Sequence, residues 1–356
     1  MQNFEDPVLT NKRVVITGGT GSLGQTLVRR LLSGELGKPE KITVFSRDEA
    51  KQHAMRLAYQ HRRAATDEVI YYSFEQLLRF RIGDVRDYHS ITAVLRDADV
   101  VFNAAALKQV PTCEYFPFEA VQTNIMGAEN IVRAIREHRL PVETVVGVST
   151  DKACKPVNVM GMTKAIQERV FVRANLDCPD TNFICVRYGN VLASRGSVIP
   201  LFHEQIRLGG PVTITRPEMS RFLMSLDKAA DTVFAALRQA NRGEIYIPRV
   251  PSALAIDIAE VLISGRPIKT KIIGIRPGEK IHEVLVSEEE GHRTIERGDY
   301  YVIVPMLPEL RLTSQSGRFL EREFSSADSI MTRAELAGLL KEHGLLVREK
   351  AMFDGG

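Results

Sequence analysis

The chain has 356 residues, 44% of them apolar, and a net charge of +3. Such a composition belongs to a soluble globular chain of one large or two joined lobes, and the small charge excludes the footprint of a nucleic-acid binder or a polybasic membrane anchor. Four cysteines without a CxxC pair and eight histidines without HxH or HxxxH spacing exclude a zinc signature and a disulfide framework, and so predict no metal.

Free thiols suit a reducing cytoplasm, and the start, MQNFEDPVLTNKR, carries no apolar signal region. No apolar run is long enough to span a bilayer, so the expectation is a cytoplasmic protein without membrane insertion. Arg13 to Thr17 (RVVIT) reads as a β-branched strand that runs into GGTGSLG, and Gln25 to Leu32 reads as a helix with Leu27, Val28 and Leu31 inward. Gly18, Gly21 and Gly24 thus form GxxGxxG between strand and helix. That pattern gives a tight turn, close backbone approach to a pyrophosphate and a helix N-terminus aimed at it. Thr20, Ser22 and Leu23 lie in the same turn and join the glycines as candidate cofactor contacts.

The next strand, Lys41 to Ser46 (KITVFS), ends in Ser46-Arg47 rather than an acid. A serine and an arginine suit a ribose 2′-phosphate and hence NADP. Asp48 and Glu49 follow one step later within reach of a ribose, and a solvated charge is the plain alternative for Arg47. Asp48 to Gln60 reads as a helix and residues 61 to 77 as a surface excursion. Leu78 to Ile82 resumes as a strand and ends in GDVRD, where Asp84 and Val85 sit at the adenine position of such a fold. Asp99 to Asn103 is the next strand, followed by AAALKQV. Small Ala104, Ala105 and Ala106 let backbone approach a cofactor, and Lys108 reads as a phosphate or sugar contact or a surface charge. Ala120 to Glu137 reads as one long helix containing Asn124, which must be hydrogen-bonded if buried.

The apolar run Thr144 to Val148 reads as a central strand that delivers Ser149 to Lys164, STDKACKPVNVMGMTK, to the sheet's rim. Asp151 and Lys152 are adjacent and are expected to point different ways, serving two faces of one substrate. Met160 and Lys164 share a helical face. Strand and helix alternate from residue 13 to 188, which predicts an α/β fold with a doubly wound parallel sheet and ligands at its carboxyl ends. Phe183 to Tyr188 is a further strand. The elements after it, among them the helix Leu226 to Ala240, the strand EIYIP, the helix Ile256 to Ile263 and the strand KIIGI, read as a second lobe. Arg195, Arg216, Arg221 and Arg276 each sit beside Gly, Pro or Ser in predicted loops and suit bidentate phosphate recognition, with four solvated surface charges as the alternative. Arg333 to His343 reads as a short terminal helix.

The motifs TGGTGSLG, FSRDE, GDVRD, AAALKQVP, TNIMG, STDKA, RYGNV, PEMSRFLM and RPGEKIHE occur in one order over residues 12 to 290. The chain resembles the extended short-chain dehydrogenase/reductases of nucleotide-sugar metabolism. More narrowly it resembles the bacterial UDP-N-acetylglucosamine 4,6-dehydratases of capsule, O-antigen and flagellin-glycan synthesis. The resemblance implies an NADP-binding Rossmann domain over 1–188, a nucleotide-sugar lobe over 189–310 interleaved with it, a C-terminal extension over 311–356, and a homo-oligomer. It implies that hydride leaves sugar C4, that the resulting ketone acidifies the C5 proton, that water leaves C6 and that the hydride returns to C6. By similarity Asp151 protonates the departing oxygen, Lys152 is the base at C5, and Thr150 or Ser149 binds the C4 oxygen. Asn124 and Lys164 join the cofactor contacts, and Lys108, Asn190, Arg195, Ser197, Val198, Arg216, Arg221, Arg276 and Glu279 the substrate contacts.

One departure stands out. The superfamily carries Tyr-x-x-x-Lys, and here the motif is Met160-Gly-Met-Thr-Lys164. A thioether cannot take the C4 hydroxyl proton, so the chain is either inactive or moves that proton through Lys164, a water or Lys152, which makes Lys164 a catalytic candidate as well. A Met-x-x-x-Lys variant occurs in the inverting branch of the resembled family, so the expectation is UDP-N-acetylglucosamine 4,6-dehydration with inversion at C5. The alternatives are a retaining dehydratase, a nucleotide-sugar epimerase, or a non-catalytic NADP-binding partner.

Overall fold

Short β-branched and aromatic runs build one nine-stranded sheet among the residues described by the computed structural model, which are 7–61, 77–192, 197–311 and 318–347. Its strands are β1 (Arg13–Thr17), β2 (Lys41–Ser46), β3 (Leu78–Ile82), β4 (Val100–Asn103), β5 (Thr144–Val148), β6 (Asn182–Val186), β7 (Ile245–Pro248), β8 (Thr294–Arg297) and β9 (Tyr300–Ile303). The spatial order is β8-β9-β7-β6-β5-β4-β1-β2-β3. From β3 to β7 every pairing is parallel, and β9 and β8 add antiparallel at one edge. The order reverses between β1 and β4, the switch point at which such sheets bind ligands. At the opposite edge β3 presents Arg79 and Arg81, charges that discourage pairing with another strand.

The central strands are buried along most of their length: Val100, Val101, Phe102 and Asn103 in β4, and all but the ends of β5. Strands covered on both faces lose the in–out alternation of a half-exposed sheet. The covering helices are α1 (Ser22–Leu32), α2 (Glu49–His61), α3 (Tyr88–Leu95), α4 (Gly127–His138), α5 (Val159–Asp177) and α6 (Leu226–Gln239). Helix α1 packs beside α6, while α3, α4 and α5 lie side by side. The expected helix Ala120 to Glu137 is instead a short turn, Pro117–Ala120, a π-helical stretch, Val121–Met126, and then α4. Residues 62–76, within the expected surface excursion, lie outside the described residues. Among the described residues no helix is long and apolar enough to cross a membrane.

The chain forms two compact units. The first takes residues up to Tyr188, Leu226–Arg249 and Leu285–Glu323; the second takes Gly189–Ser225, Val250–Val284 and the stretch from Phe324 on. The helix α6 and strand β7, read from the sequence as parts of the second lobe, belong to the first unit, because β7 continues the sheet beside β6. The second unit holds a three-stranded sheet, Asn190–Val191, Ser220–Met224 and Ser252–Leu254, and a parallel pair, Val212–Ile214 with Thr270–Ile272. Its core gathers Phe202, Ile206, Ile214, Leu223, Ile258, Leu262, Leu336 and Leu340.

A charge cluster lies inside the first unit. Arg187, 2% exposed, follows β6. It donates to both carboxylate oxygens of Glu168 on α5 (3.0 and 2.6 Å) and to both of Glu290 (2.8 and 3.0 Å), and its fifth N–H reaches the Leu285 carbonyl (2.9 Å). Arg293 lies 3.6 Å from Glu290 and balances the second carboxylate. Burial works against the Glu290 carboxylate, yet the Arg187 charge and its hydrogen bonds hold the pKa down at about 2.

A folded-state pKa below the ordinary value of 4.5 gives stability that is complete above that value and is lost as pH falls through about 2. The share is on the order of 3 kcal/mol. Urea unfolding followed from neutral pH downward should show stability falling over that window, and Glu290→Gln should flatten this part of the slope while lowering stability at neutral pH. An unchanged slope in the variant would remove Glu290 from the acid transition.

Candidate active site

The turns that follow β1 to β5 all open at the carboxyl end of the sheet, because parallel strands with helical crossovers place every β-to-α turn on one side. After β1, Gly18 has φ +65° and its backbone lies against Ala104 and Ala105; an added Cβ would come within 2.7–2.8 Å of their backbone. Gly24 lets α1 pack on Gly19, where a Cβ would meet backbone at 2.5 Å. Helix α1 starts at Ser22 with Gly21 as its cap, so no side chain occupies its first amides. This cradle of close backbone and open helix amides fits the pyrophosphate of a dinucleotide. Thr20 is buried and its hydroxyl lies 3.0 Å from that of Ser46, which ties the glycine turn to the end of β2; Leu23 is partly buried.

Arg47 is half exposed and lies 3.8 Å from Asp84. Asp84 is held mainly by Arg86, at 2.7 and 2.9 Å. Burial works against its carboxylate, but these hydrogen bonds keep the pKa below the usual carboxylate range. Asp48, the sequence alternative for a ribose contact, accepts from the Lys51 amide and side chain at the start of α2. Val85 is buried and Gly127 of α4 packs on it. After β4, Asn103 accepts from Thr17 (2.7 Å), which locks the ends of β1 and β4 together. Ala106 and Lys108 are exposed on the loop that follows, with Ala104 and Ala105 partly covered.

Asn124 is 1% exposed and hydrogen-bonded as burial requires. Its amide accepts from Leu107 N (2.9 Å) and donates to Leu107 O (3.0 Å) and the Thr163 hydroxyl (2.9 Å). Both amide N–H groups are thus spent on protein, and Asn124 braces the 104–108 loop against α5. The π-helical stretch that carries it is a widened turn of the kind common at functional sites.

After β5 the chain makes a single 3₁₀ turn, Asp151–Ala153. Asp151 and Lys152 do not diverge as adjacency in a loop suggested: the tight turn folds Lys152 Nζ back to 3.1 Å from Asp151 Oδ1. Asp151 is 1% exposed on its side chain and Lys152 21%. The Thr150 hydroxyl donates to the same Oδ1 at 2.9 Å. Ser149 is buried and donates to Glu168 (2.5 Å), which leaves Thr150 as the accessible hydroxyl of the two. Hydroxyl, carboxyl and amine therefore form one contiguous chain.

Met160 is buried against Cys113 and Ala120, with Leu107 and Val110 packed around them. Lys164, on the same helix, donates to the Val148 carbonyl and to Gln167 (2.6 Å), and burial pushes its pKa down to about 8. The next residue after Met160, Gly161, has its backbone against the 3₁₀ turn; a Cβ there would fall 2.1 Å from the Lys152 carbonyl oxygen.

In the second unit, Arg216 is exposed and pairs with Glu218 at 2.6 Å. Arg276 is exposed, and its amide donates to Glu279 at 3.3 Å. Arg221 is 9% exposed and turned inward onto the carbonyls of Ser220 (2.6 Å) and Ile281 (3.1 Å), so it braces the loop that carries Arg276. Asn190 sits in a two-residue strand, and Ser197 and Val198 open the helix Val198–Arg207. Arg195 lies outside the described residues. Sequence reading passed over Arg187, Glu168, Glu290 and Gly161. A signal for Glu168 was available, since Lys164 and Glu168 are four apart on one helix and so share a face.

A family model described as a polysaccharide biosynthesis protein matches residues 14–305. A curated UDP-glucose 4-epimerase of Rickettsia bellii (strain OSU 85-389) is 44% identical over 301 residues, covering 83% of this chain and 84% of that protein. One of Rickettsia typhi is 43% identical over the same shares. Among solved structures, Pen from Bacillus thuringiensis superposes with a TM-score of 0.84 at 34% identity, over 95% of this chain and 99% of that one. The dTDP-glucose 4,6-dehydratase DesIV of Streptomyces venezuelae, solved with NAD and TYD bound, gives a TM-score of 0.63 at 20% identity over 76% and 86% of the two chains, a likeness of fold alone.

Gly161→Ala should push the 3₁₀ turn away from α5. Overpacking of this kind costs about 1–3 kcal/mol. Thermal unfolding should show that loss, and a crystal structure should show Lys152 displaced. A variant as stable as the parent, with the turn unmoved, would show that the contact is loose.

Proposed function

Because the chain belongs to the polysaccharide biosynthesis protein family, we propose that it is an NADP-dependent 4,6-dehydratase of UDP-N-acetylglucosamine that inverts C5, acting in the cytoplasm as a homo-oligomer. The observation that carries this reading is the Asp151–Lys152 pair at the end of β5, with a thioether at position 160. Elimination across C5 and C6 needs a base at one carbon and an acid at the next oxygen. A carboxylate and an ammonium 3.1 Å apart become a carboxylic acid and a free amine by one proton transfer, and that is the form such an elimination uses. The nicotinamide group, when bound, supplies the reversible oxidation at sugar C4 that acidifies C5. A water takes the C4 hydroxyl proton, Lys152 takes the C5 proton and later returns one to C5, Asp151 gives a proton to the leaving C6 oxygen and is recharged from solvent, and the Thr150 hydroxyl contacts the C4 oxygen. The glycine cradle at Gly18 to Gly24 holds the dinucleotide. Ser46 and Arg47 are assigned to the 2′-phosphate, and Arg216 and Arg276, two exposed arginines of the second unit, to the diphosphate of the sugar nucleotide.

The names of the Rickettsia relatives favour a second reading, a 4-epimerase. An epimerase returns hydride to C4 and keeps the C6 oxygen. Incubation with UDP-N-acetylglucosamine in deuterated water, followed by mass spectrometry and NMR, separates the two. Loss of one water with deuterium at C5 in an L-configured product is the expected result, and an isomer of unchanged mass would replace the dehydratase by the epimerase.

Lys152→Ala should lower turnover by about 10²–10⁴-fold, the usual contribution of a general base. Asp151→Asn should block loss of water, and reduced nicotinamide absorbance should then persist in the mixture. Met160→Leu, an apolar exchange inside an apolar cluster, should keep substantial turnover. If Met160→Leu abolishes activity while Lys152→Ala retains it, the assigned roles are wrong.

The cofactor assignment has its own test. Arg47→Ala should weaken NADP over NAD by about 1–3 kcal/mol, the size of a charge-assisted contact. Equal weakening of both, read by isothermal titration calorimetry, would end the 2′-phosphate assignment.

A further inference from the structure

The buried charge cluster reaches the 149–154 turn from both ends. At its start, the Ser149 hydroxyl donates to Glu168 Oε1 at 2.5 Å. At its close, Cys154 Sγ lies 3.6 Å from Glu290 Oε2. Between these ties the backbone is laid along the stretch that carries Arg187: Ser149 N donates to Val186 O (2.7 Å) and Asp151 N to Tyr188 O (3.0 Å). Arg187 N is itself fixed to Tyr246 O on β7 (2.8 Å). All five guanidinium N–H groups are occupied, four of them on the two carboxylates, so neither carboxylate can swing without breaking a charge-assisted pair. The carboxylates in turn present fixed oxygens to Ser149 and Cys154.

We infer that Arg187, Glu168 and Glu290 act, through Ser149 and Cys154, as positioning residues for the Asp151–Lys152 pair. The inference rests on the dehydratase reading for its catalytic consequence, though not for the mechanical one. A turn pinned at both ends to a rigid buried cluster holds its carboxyl and amine in one arrangement before substrate arrives. Such pre-organisation matters because a displacement of about 1 Å in a reacting group costs roughly 100-fold in rate. A cluster that served only to cement the core would have no need to engage a hydroxyl and a thiol from the two ends of one catalytic turn.

Two readouts test this on the full-length protein with its cofactor. The first is amide hydrogen exchange in the double variant Ser149→Ala, Cys154→Ala, which cuts both ties and leaves the ion cluster whole. Protection of the Asp151, Ala153 and Cys154 amides should fall about tenfold while that of Arg187 stays as in the parent, the mark of local rather than global opening. The second is turnover: kcat should fall about 10-fold or more with KM within a factor of two, since positioning acts on the chemical step. Cys154→Ser, which keeps a donor, should recover part of both effects beside Cys154→Ala. Unchanged protection in the turn, or an equal loss across β6 and the turn, overturns the inference. So does a loosened turn that leaves kcat untouched. If the parent protein turns over no UDP-N-acetylglucosamine, the dehydratase reading fails, and the exchange measurement alone still decides whether the cluster holds the turn.

Discussion

The first unit is organised around one buried cation. Removing a guanidinium from water is costly, and the cost is recovered only when every donor finds a partner. Arg187 meets that condition: it sits between two carboxylates that come from far apart in sequence, Glu168 on α5 and Glu290 beyond β7. The arrangement leaves little freedom. The strand that ends at Val186, the helix that carries Lys164 and the 285–291 segment must all arrive at one point. The segment's own fold helps, since Ser287 and Glu290 form a reciprocal cap that aims the Glu290 carboxylate. An apolar core would tolerate a shifted helix at modest cost. A buried ion cluster does not, because a misplaced partner leaves a charge without its counter-charge.

That rigidity is spent at the carboxyl end of the sheet. Parallel strands deliver the glycine turn, Ser46-Arg47, Asp84 and the 149–154 turn to the same side, which is a matter of topology. Topology alone places them only to within several ångströms. The finer placement comes from polar ties between neighbouring turns: Thr17 to Asn103, Thr20 to Ser46, Asn124 to Leu107, Ser149 to Glu168. The first two link the end of one strand to the end of another, and the last two tie the turn after a strand to the helical stretch that follows it. The site is thus a ring of strand ends braced sideways, with small residues wherever two backbones must touch.

The strands were legible in the sequence because their signal is local. The expected β1, β2, β3 and β5 have the observed limits, β4 and β7 each start one residue later than read, β6, read as Phe183 to Tyr188, runs Asn182–Val186, and the edge strands β8 and β9 were not read at all. The glycine turn was legible for the same reason. What escaped was everything that depends on distant partners. Membership of α6 and β7 in the large sheet depends on β7 meeting β6, which no local pattern announces. Arginines beside Gly, Pro or Ser were read as phosphate ligands, but Arg221 turns inward, and Arg187, the most buried arginine among the described residues, was read only as part of the RYGNV motif and given no role. The Asp151–Lys152 pair was found as a pair of residues, while its geometry was not, since one 3₁₀ turn reversed the expected divergence. Gly161 was invisible for a similar reason: its need for a missing side chain arises only when α5 meets the turn.

Position 160 brings these strands of argument together. A phenol there would place a proton acceptor beside Lys164, and its absence removes the usual partner of that amine. Met160 packs on Cys113 and Ala120, and Lys164 donates to the Val148 carbonyl and to Gln167. What remains at the turn after β5 is the run of hydroxyl, carboxyl and amine at Thr150, Asp151 and Lys152. Inversion at C4 alone asks for one proton acceptor at one oxygen. Elimination asks for two groups that act on neighbouring atoms of one sugar, with the hydroxyl at a third. Two functional groups 3.1 Å apart on one rigid turn match the second demand better than the first. On the proposed reading the retained pair therefore accounts for the chemistry at C5 and C6, while the oxidation at C4, which dehydration and epimerisation share, needs an acceptor other than a phenol for the hydroxyl proton.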